Sequence, residues 1–226
     1  MAGQLVEFAS NGSQAQGYLA RPASGRGPGV IVIQEWWGLV DHIKGVADRF
    51  AAEGFFALAP DLYHGETTTN PDDAGRLMMA INIDRAVRDL ADCIEYLVGL
   101  EGVSPGKVGT VGFCMGGQLA LAVACKSTKV GACADFYGVH PAVTLDFSAL
   151  EAPVLGIFAE NDGFVNPEAV RKLEHDIQSA GKRCDFHTYP GVDHAFFNES
   201  RSDVYNAGAA KDAWQRTLRF FREQLA

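Results

Sequence analysis

The stretch Val108-Gly-Thr-Val-Gly-Phe-Cys-Met-Gly-Gly117 decides how the rest of the chain is read. It runs as a short apolar strand, a Gly-flanked tight turn with Cys114 at the tip, and an Ala/Leu-rich helix from about Gly117 to Cys125. That is the grammar of a nucleophile elbow, Gly-x-Nuc-x-Gly, with cysteine where serine usually stands. The turn cramps the backbone at the nucleophile, so its neighbours must be nearly free of side chains; Gly112 and Gly116 meet that need. Two other readings fit the stretch alone. Gly-rich strand-to-helix turns also cradle phosphates, and a free cysteine is among the most buried residue types.

Working outward, strands alternate with helices on both sides of this element. Toward the N-terminus, Leu5–Ala9 and Gln16–Ala20 flank Asn-Gly-Ser and read as a β-hairpin. Gly25-Arg-Gly-Pro-Gly29 reads as a loop, with Pro28 speaking against a dinucleotide fingerprint. Val30–Gln34 is a continuous β-branched run, expected for a strand covered on both faces. Glu35-Trp36-Trp37-Gly38 follows at its carboxyl end, where open α/β sheets bind ligands; a solvated glutamate beside two core-covering indoles is the alternative. Asp41 is placed to cap a helix running to Glu53, with Ile43, Val46, Ala47 and Phe50 on one face. Phe55–Ala59 is the next strand, Pro60–Gly65 a loop at the same end, and Thr67–Pro71 an exposed linker. Asp72–Met79 and Asp84–Leu100 are helical by period.

Beyond the elbow come a strand at Val130–Phe136, a loop Tyr137-Gly-Val-His-Pro141, a strand at Pro153–Ala159, a helix from Asn166-Pro167 to Ala180, a strand at Arg183–Tyr189 and a helix at Ala209–Gln224. The pattern predicts a single α/β domain over residues 1–226, with a mostly parallel central sheet, helices on both faces and the N-terminal hairpin.

The last two strands each deliver a polar residue just past their ends: Glu160-Asn-Asp162 after one, Gly191-Val-Asp-His194 after the other. With Cys114, three βα junctions carry nucleophile, acid and base in that chain order. A free thiol has a pKa of about 8.5 and needs a basic partner or a favourable field to react at neutral pH. His194 is the expected base and Asp162 the residue orienting it, with Asp193 the weaker alternative because adjacent loop residues rarely face each other. The backbone N–H groups of Met115 and Trp36 are the expected oxyanion donors. His140 and His187 read as structural or pocket-lining, and Cys93, Cys125, Cys133 and Cys184 as buried and inert.

Composition bounds the rest. A hydrophobic share of 47% with 21% charged residues is that of an ordinary globular chain, and a net charge of −9 speaks against broad binding to nucleic acid or anionic membrane. No apolar run approaches the ~20 residues that span a bilayer, and no basic-then-apolar leader is visible, so a cytoplasmic location is expected. Five dispersed cysteines without a Cys-x-x-Cys pair suit reduced thiols better than disulfides or a zinc site.

On Gln34-Glu35-Trp36-Trp37-Gly38, Gly112-Phe-Cys114-Met-Gly-Gly117, Glu160-Asn-Asp162 and Gly191-Val-Asp-His194-Ala-Phe, the sequence resembles the dienelactone hydrolase family of α/β-hydrolases over nearly its whole length. The resemblance implies the α/β-hydrolase fold and hydrolysis of a carboxylic ester or lactone through an acyl-enzyme on Cys114, with no metal or organic cofactor. It implies that Glu35 is coupled to the thiol and takes part in activating it when substrate arrives. It also exposes a departure. Lactone hydrolases of the family hold a substrate carboxylate with two arginines, one a few residues after the histidine; here Asn198 stands about there and Arg201 is displaced, while Arg76 is the nearest counterpart of the other. Trp37, Tyr137, Asn198, Arg76 and Arg201 are therefore the candidate substrate contacts. The expected partner is a small ester, lactone or thioester, and the chain is expected as a monomer or small homo-oligomer. The competing expectation is a non-catalytic small-molecule binder or oxidant sensor using the same cysteine.

Overall fold

Val30, Ile31, Val32 and Ile33 are all inaccessible to solvent, yet they belong to two different cores. Val30 and Val32 face one cluster and Ile31 and Ile33 the other, which is the period-2 alternation of a strand hidden inside an unbroken apolar run. The computed structural model, which describes residues 2–140 and 143–226, extends this logic across eight strands. They are β1 Gln4–Ser10, β2 Ser13–Ala20, β3 Gly27–Ile33, β4 Phe56–Pro60, β5 Val103–Phe113, β6 Val130–Phe136, β7 Val154–Ala159 and β8 Cys184–Tyr189. One sheet holds them in the order β1-β2-β4-β3-β5-β6-β7-β8. The hairpin β1–β2 and the β2–β4 pair are antiparallel, and every pair from β4 to β8 is parallel.

Among the described residues there are six α-helices: α1 Asp41–Ala52, α2 Pro71–Ala80, α3 Ile83–Val98, α4 Met115–Ala124, α5 Pro167–Ser179 and α6 Ala207–Gln224. On one face α1 contributes Ile43, Val46, Ala47 and Phe50, and α6 Ala213, Leu218 and Phe221. On the other face lie Leu90, Cys93, Ile94 and Leu97 of α3, the apolar body of α4, and Val170, Leu173 and Ile177 of α5. Each fully buried side chain of this size contributes roughly 1.5–3 kcal/mol by leaving water. The expected mostly parallel α/β architecture with an N-terminal hairpin is therefore the one observed.

The differences are at element ends. β3 starts at Gly27 because Gly25–Gly29 is not all loop: a Cβ at Gly27 would lie 2.1 Å from the Gly54 carbonyl oxygen, so glycine lets the strand pass that turn. β5 begins at Val103, five residues before the expected Val108, and Val103 pairs with Gly27. Asp41 is the first residue of α1 and not its cap; Val40 precedes it without a side-chain capping bond, so Asp41 acts only as a first-turn charge against the helix dipole. α4 starts at Met115, directly after Cys114. The linker expected at Thr67–Pro71 ends in a capping residue, because Asn70 accepts from the N–H groups of Asp72 and Asp73. Pro141, part of the expected Tyr137–Pro141 loop, lies outside the described residues.

Candidate active site

Because β4, β3, β5, β6, β7 and β8 are parallel neighbours, their carboxyl ends emerge side by side. In that spatial order they deliver Tyr63, Glu35, Cys114, Tyr137, Asp162 and His194. The strand order reverses direction between β3 and β5, which makes the Glu35–Cys114 junction the topological switch point of the sheet.

Cys114 has φ 56° and ψ −121°, in a region that non-glycine residues rarely occupy. Holding a residue there costs on the order of 1–3 kcal/mol, and the surrounding glycines are what make it feasible. A Cβ at Gly112 would sit 1.9 Å from the Gly116 carbonyl oxygen, and one at Gly116 would sit 2.5 Å from the carbonyl oxygens of both Ile33 and Gln34. The Cys114 N–H donates to Phe136 O at 2.9 Å, which spends that donor inside the sheet. Met115 is the first residue of α4, where a helix leaves its N–H groups without intrahelical acceptors. Cys114 is partly exposed, as is Cys184 on β8, which was expected to be buried, whereas Cys93, Cys125 and Cys133 are buried. Burial pushes the thiols of all three up, that of Cys125 to about 11.

Asp162 is held on three sides. Its Oδ1 accepts from the N–H groups of Phe164 and Val165, both at 2.8 Å, and its Oδ2 lies 2.6 Å from Nδ1 of His194. The Phe164 and Val165 bonds fix the carboxylate, and the carboxylate fixes the ring. Asp193, the alternative acid, is exposed, and the ring of His194 is taken by Asp162. Burial pulls the imidazolium of His194 down, but Asp162 and the neighbouring Cys114 sulfur outweigh it and lift the pKa to about 10. His194 lies between two aromatic rings, Tyr137 at 4.9 Å and Phe164 at 5.1 Å. Ala195 and Tyr137 also have positive φ, 63° and 44°, so strained backbone gathers at these strand ends.

Glu35 is 1% exposed. Its Oε2 accepts from Nδ2 of Asn198 at 2.5 Å, while Oε1 is buried without a hydrogen-bond partner among the described residues. Burial raises its pKa to about 7, opposed in turn by Asn198, His194, Arg201 and the nearby Tyr137 hydroxyl. Gln34, one residue earlier, is fully buried and accepts from Leu62 N at 3.1 Å, tying the end of β3 to the loop after β4.

The expected substrate contacts divide. Asn198 is 1% exposed and both ends of its amide are used inside the protein, so it holds Glu35 and does not face a substrate. Tyr137 is fully buried, its hydroxyl beside Glu35 and its ring on His194. Trp36 and Trp37 pack edge to face at 4.9 Å, and the Arg201 guanidinium lies 5.9 Å from the Trp37 ring while pairing with Asp203 at 2.6 Å. Arg76 is on the exposed side of α2 and pairs with Asp73 at 3.2 Å. His140 donates its N–H to Gln118 at 2.9 Å, and His187 lies on the edge strand β8 against Tyr189. Two residues went unnoticed in the sequence. Tyr63 sends its hydroxyl to the Met115 sulfur at 3.6 Å, and burial together with Cys114 holds that hydroxyl's pKa well up. Phe164 keeps 75% of its surface exposed against His194. Their positions just past the ends of β4 and β7 were the available signal. Among the described residues, no cluster of three or more His, Cys, Asp or Glu side chains is arranged to hold a metal ion.

Comparison with known proteins places this geometry. The chain is 43% identical over 230 residues to "Protein usf" of Aquifex pyrophilus, covering 99% of each. It is 39% identical, again over 99% of each, to a protein of Aquifex aeolicus named "Putative carboxymethylenebutenolidase". The solved structure titled "Putative Dienelactone Hydrolase" from Klebsiella pneumoniae superposes with a TM-score of 0.87 at 29% identity, covering 99% of this chain and 100% of that one. The model of the dienelactone hydrolase family matches residues 15–225, and the chain belongs to that family of α/β-hydrolases.

Proposed function

We propose that the protein is a cysteine-dependent hydrolase of carboxylic esters or lactones. The observation that carries this reading is the His194–Asp162 pair at 2.6 Å on the same sheet edge as the strained Cys114. In the proposed reaction the Cys114 sulfur attacks the carbonyl carbon as a thiolate held beside the protonated His194. Negative charge develops on the carbonyl oxygen, and the N–H groups of Met115 and Trp36 are its donors. The intermediate collapses by breaking the bond to the leaving oxygen, which takes the proton from His194. In a lactone that oxygen stays attached through the opened ring. Water then attacks the thioester carbon and gives a proton to His194; the carbon–sulfur bond breaks, the carboxylic acid leaves, and the thiolate beside the protonated His194 is restored. No step calls for a metal or organic cofactor.

A neutral acyl substrate fits this site better than an anionic one. The two arginines expected to hold a carboxylate are paired with Asp73 and Asp203, and Asn198 is committed to Glu35. The acidic chain, its five free cysteines and the absence, among the described residues, of any helix long and apolar enough to cross a membrane support a cytoplasmic setting. The test is Cys114→Ala assayed on p-nitrophenyl acetate and on paired neutral and anionic lactones. Complete loss of turnover in a folded variant, with wild-type preference for the neutral lactone, is expected. Retained turnover would overturn the nucleophile, and preference for the anionic lactone would return Arg76 or Arg201 to the site. Rapid alkylation of wild-type Cys114 with no turnover on any substrate would favour the binding or oxidant-sensing alternative.

A further inference from the structure

The amide of Asn198 has an unambiguous orientation. Its Oδ1 lies 3.0 Å from the backbone N of Ser200 and 2.6 Å from the Ser200 hydroxyl. A backbone N–H can only donate, so the end facing Ser200 is the oxygen and the NH2 end faces Glu35. The turn itself is pinned, because Asn198 N donates to Ala195 O at 2.9 Å and Arg201 N donates to Asn198 O at 3.0 Å. The result is a fixed donor delivered to a buried carboxyl 163 residues away in the chain, at 2.5 Å.

We propose that Asn198, locked by Ser200, is a positioning residue that holds Oε2 of Glu35 and leaves Oε1 as the free oxygen for proton exchange in the thiol site. This inference rests on the hydrolase reading above and names the device that regulates it. A neutral donor is what makes the arrangement work. A cation in the same place would hold Glu35 as a carboxylate throughout the neutral range, and an apolar residue would leave both oxygens buried and unpaired. An amide stabilises the charged form only partly, so the group exchanges its proton near neutrality. The ionisable groups that face the Glu35 carboxyl are His194, Arg201 and Tyr137, and of all its neighbours Asn198 opposes the effect of burial most. Tyr137, fully buried, has both the Glu35 carboxyl and the Cys114 thiol among the groups that act on its hydroxyl.

The test follows the Glu35 carboxyl directly, by 13C NMR of glutamate-labelled protein with the resonance assigned through Glu35→Gln, beside the pH profile of kcat/KM on a neutral ester. Asn198→Ala removes the donor, and the midpoint of Glu35 should rise by about one pH unit, the acid limb of kcat/KM moving with it. Ser200→Ala removes the hydroxyl while keeping the N–H, and should move both in the same direction by less. An unmoved Glu35 midpoint in folded Asn198→Ala, or a moved midpoint with an unmoved acid limb, overturns the proposal. Should Asn198→Ala fail to fold, Ser200→Ala decides alone by the same criteria. Where wild type turns over no ester the hydrolase reading fails by itself; the pH dependence of Cys114 alkylation then stands in for the acid limb and must follow the Glu35 midpoint.

Discussion

The two halves of the site hold their titratable groups in opposite ways. At the β7–β8 end His194 is gripped by a carboxylate, which is itself gripped by two backbone N–H groups, and the imidazole holds its proton to about pH 10. At the β3 end Glu35 is gripped by a neutral amide, and burial leaves it exchanging its proton at about pH 7. Glu35 is buried and His194 partly buried, and both have a short, oriented partner. What differs is the partner's charge. A charged partner commits its neighbour to one protonation state across the physiological range, whereas a neutral one leaves the neighbour free to change state there. Chemistry that must hand a proton back and forth is served by having one of each.

The sharpest way to break this comparison is to take away the charge on the histidine's side. Asp162→Asn keeps the shape of the side chain but loses the anion and supports the wrong tautomer of His194. We expect kcat/KM on p-nitrophenyl acetate to fall about a thousandfold or more, with the His194 midpoint dropping markedly in an NMR titration. An unchanged midpoint would show that the partner's charge is not what sets the protonation of the ring.

The matching change at the other end is Glu35→Gln. Here the expected loss is about a hundredfold at neutral pH, within the usual contribution of a positioned acid or base. More telling is the shape: the acid limb near pH 7 should vanish from the kcat/KM profile, since its source has been replaced by a group that does not titrate. Above that limb the deprotonated wild-type enzyme stays ahead of the variant, and below it the two converge. A limb that survives in Glu35→Gln would assign it to another group.

How far these positions were legible beforehand depended on what each residue's type constrains. The elbow was readable because Gly112 and Gly116 leave no alternative: a side chain at either would collide with backbone. Asp162 and His194 were readable from their places just past β7 and β8, where a parallel sheet collects its reactive groups. Asn198 was not. Counting residues from the histidine put it where a substrate contact was expected, but an asparagine in a loop can face outward to a ligand or inward to a carboxyl, and only the Ser200 bonds reveal which. The early start of β5 was hidden for a related reason. Pro105-Gly-Lys has the composition of a turn, and the pairing of Val103 with Gly27 that makes it strand lies far away in sequence. Tyr63 and Phe164 carry no motif, and their places just past β4 and β7 were the only signal of their contact with the site.

His42 extends the comparison to a group without a hydrogen-bond partner among the described residues. It is 7% exposed on α1, both ring nitrogens lack a hydrogen-bond partner among the described residues, and it packs edge-on against Phe113 and Phe197 at 6.3 Å each. Burial, with Arg49 beside it, lowers its pKa to about 4. The ordinary value of about 6.5 applies in the unfolded chain. Between those two values the unfolded chain binds a proton that the folded chain refuses, so stability is full above about pH 6.5 and declines as the pH falls toward 4. The decline attributable to this one ring is bounded at about 3 kcal/mol, since each pH unit of difference is worth about 1.4 kcal/mol. His42→Phe should fill the same space without the titration. Urea unfolding of both proteins at pH 7.5 and 4.5 isolates the effect, because every other titrating group is common to the pair. The gap in unfolding free energy should widen in favour of the variant at the lower pH. A gap of the same size at both values would mean that the folded protein finds a place for the proton on His42, and that burial does not hold this ring neutral.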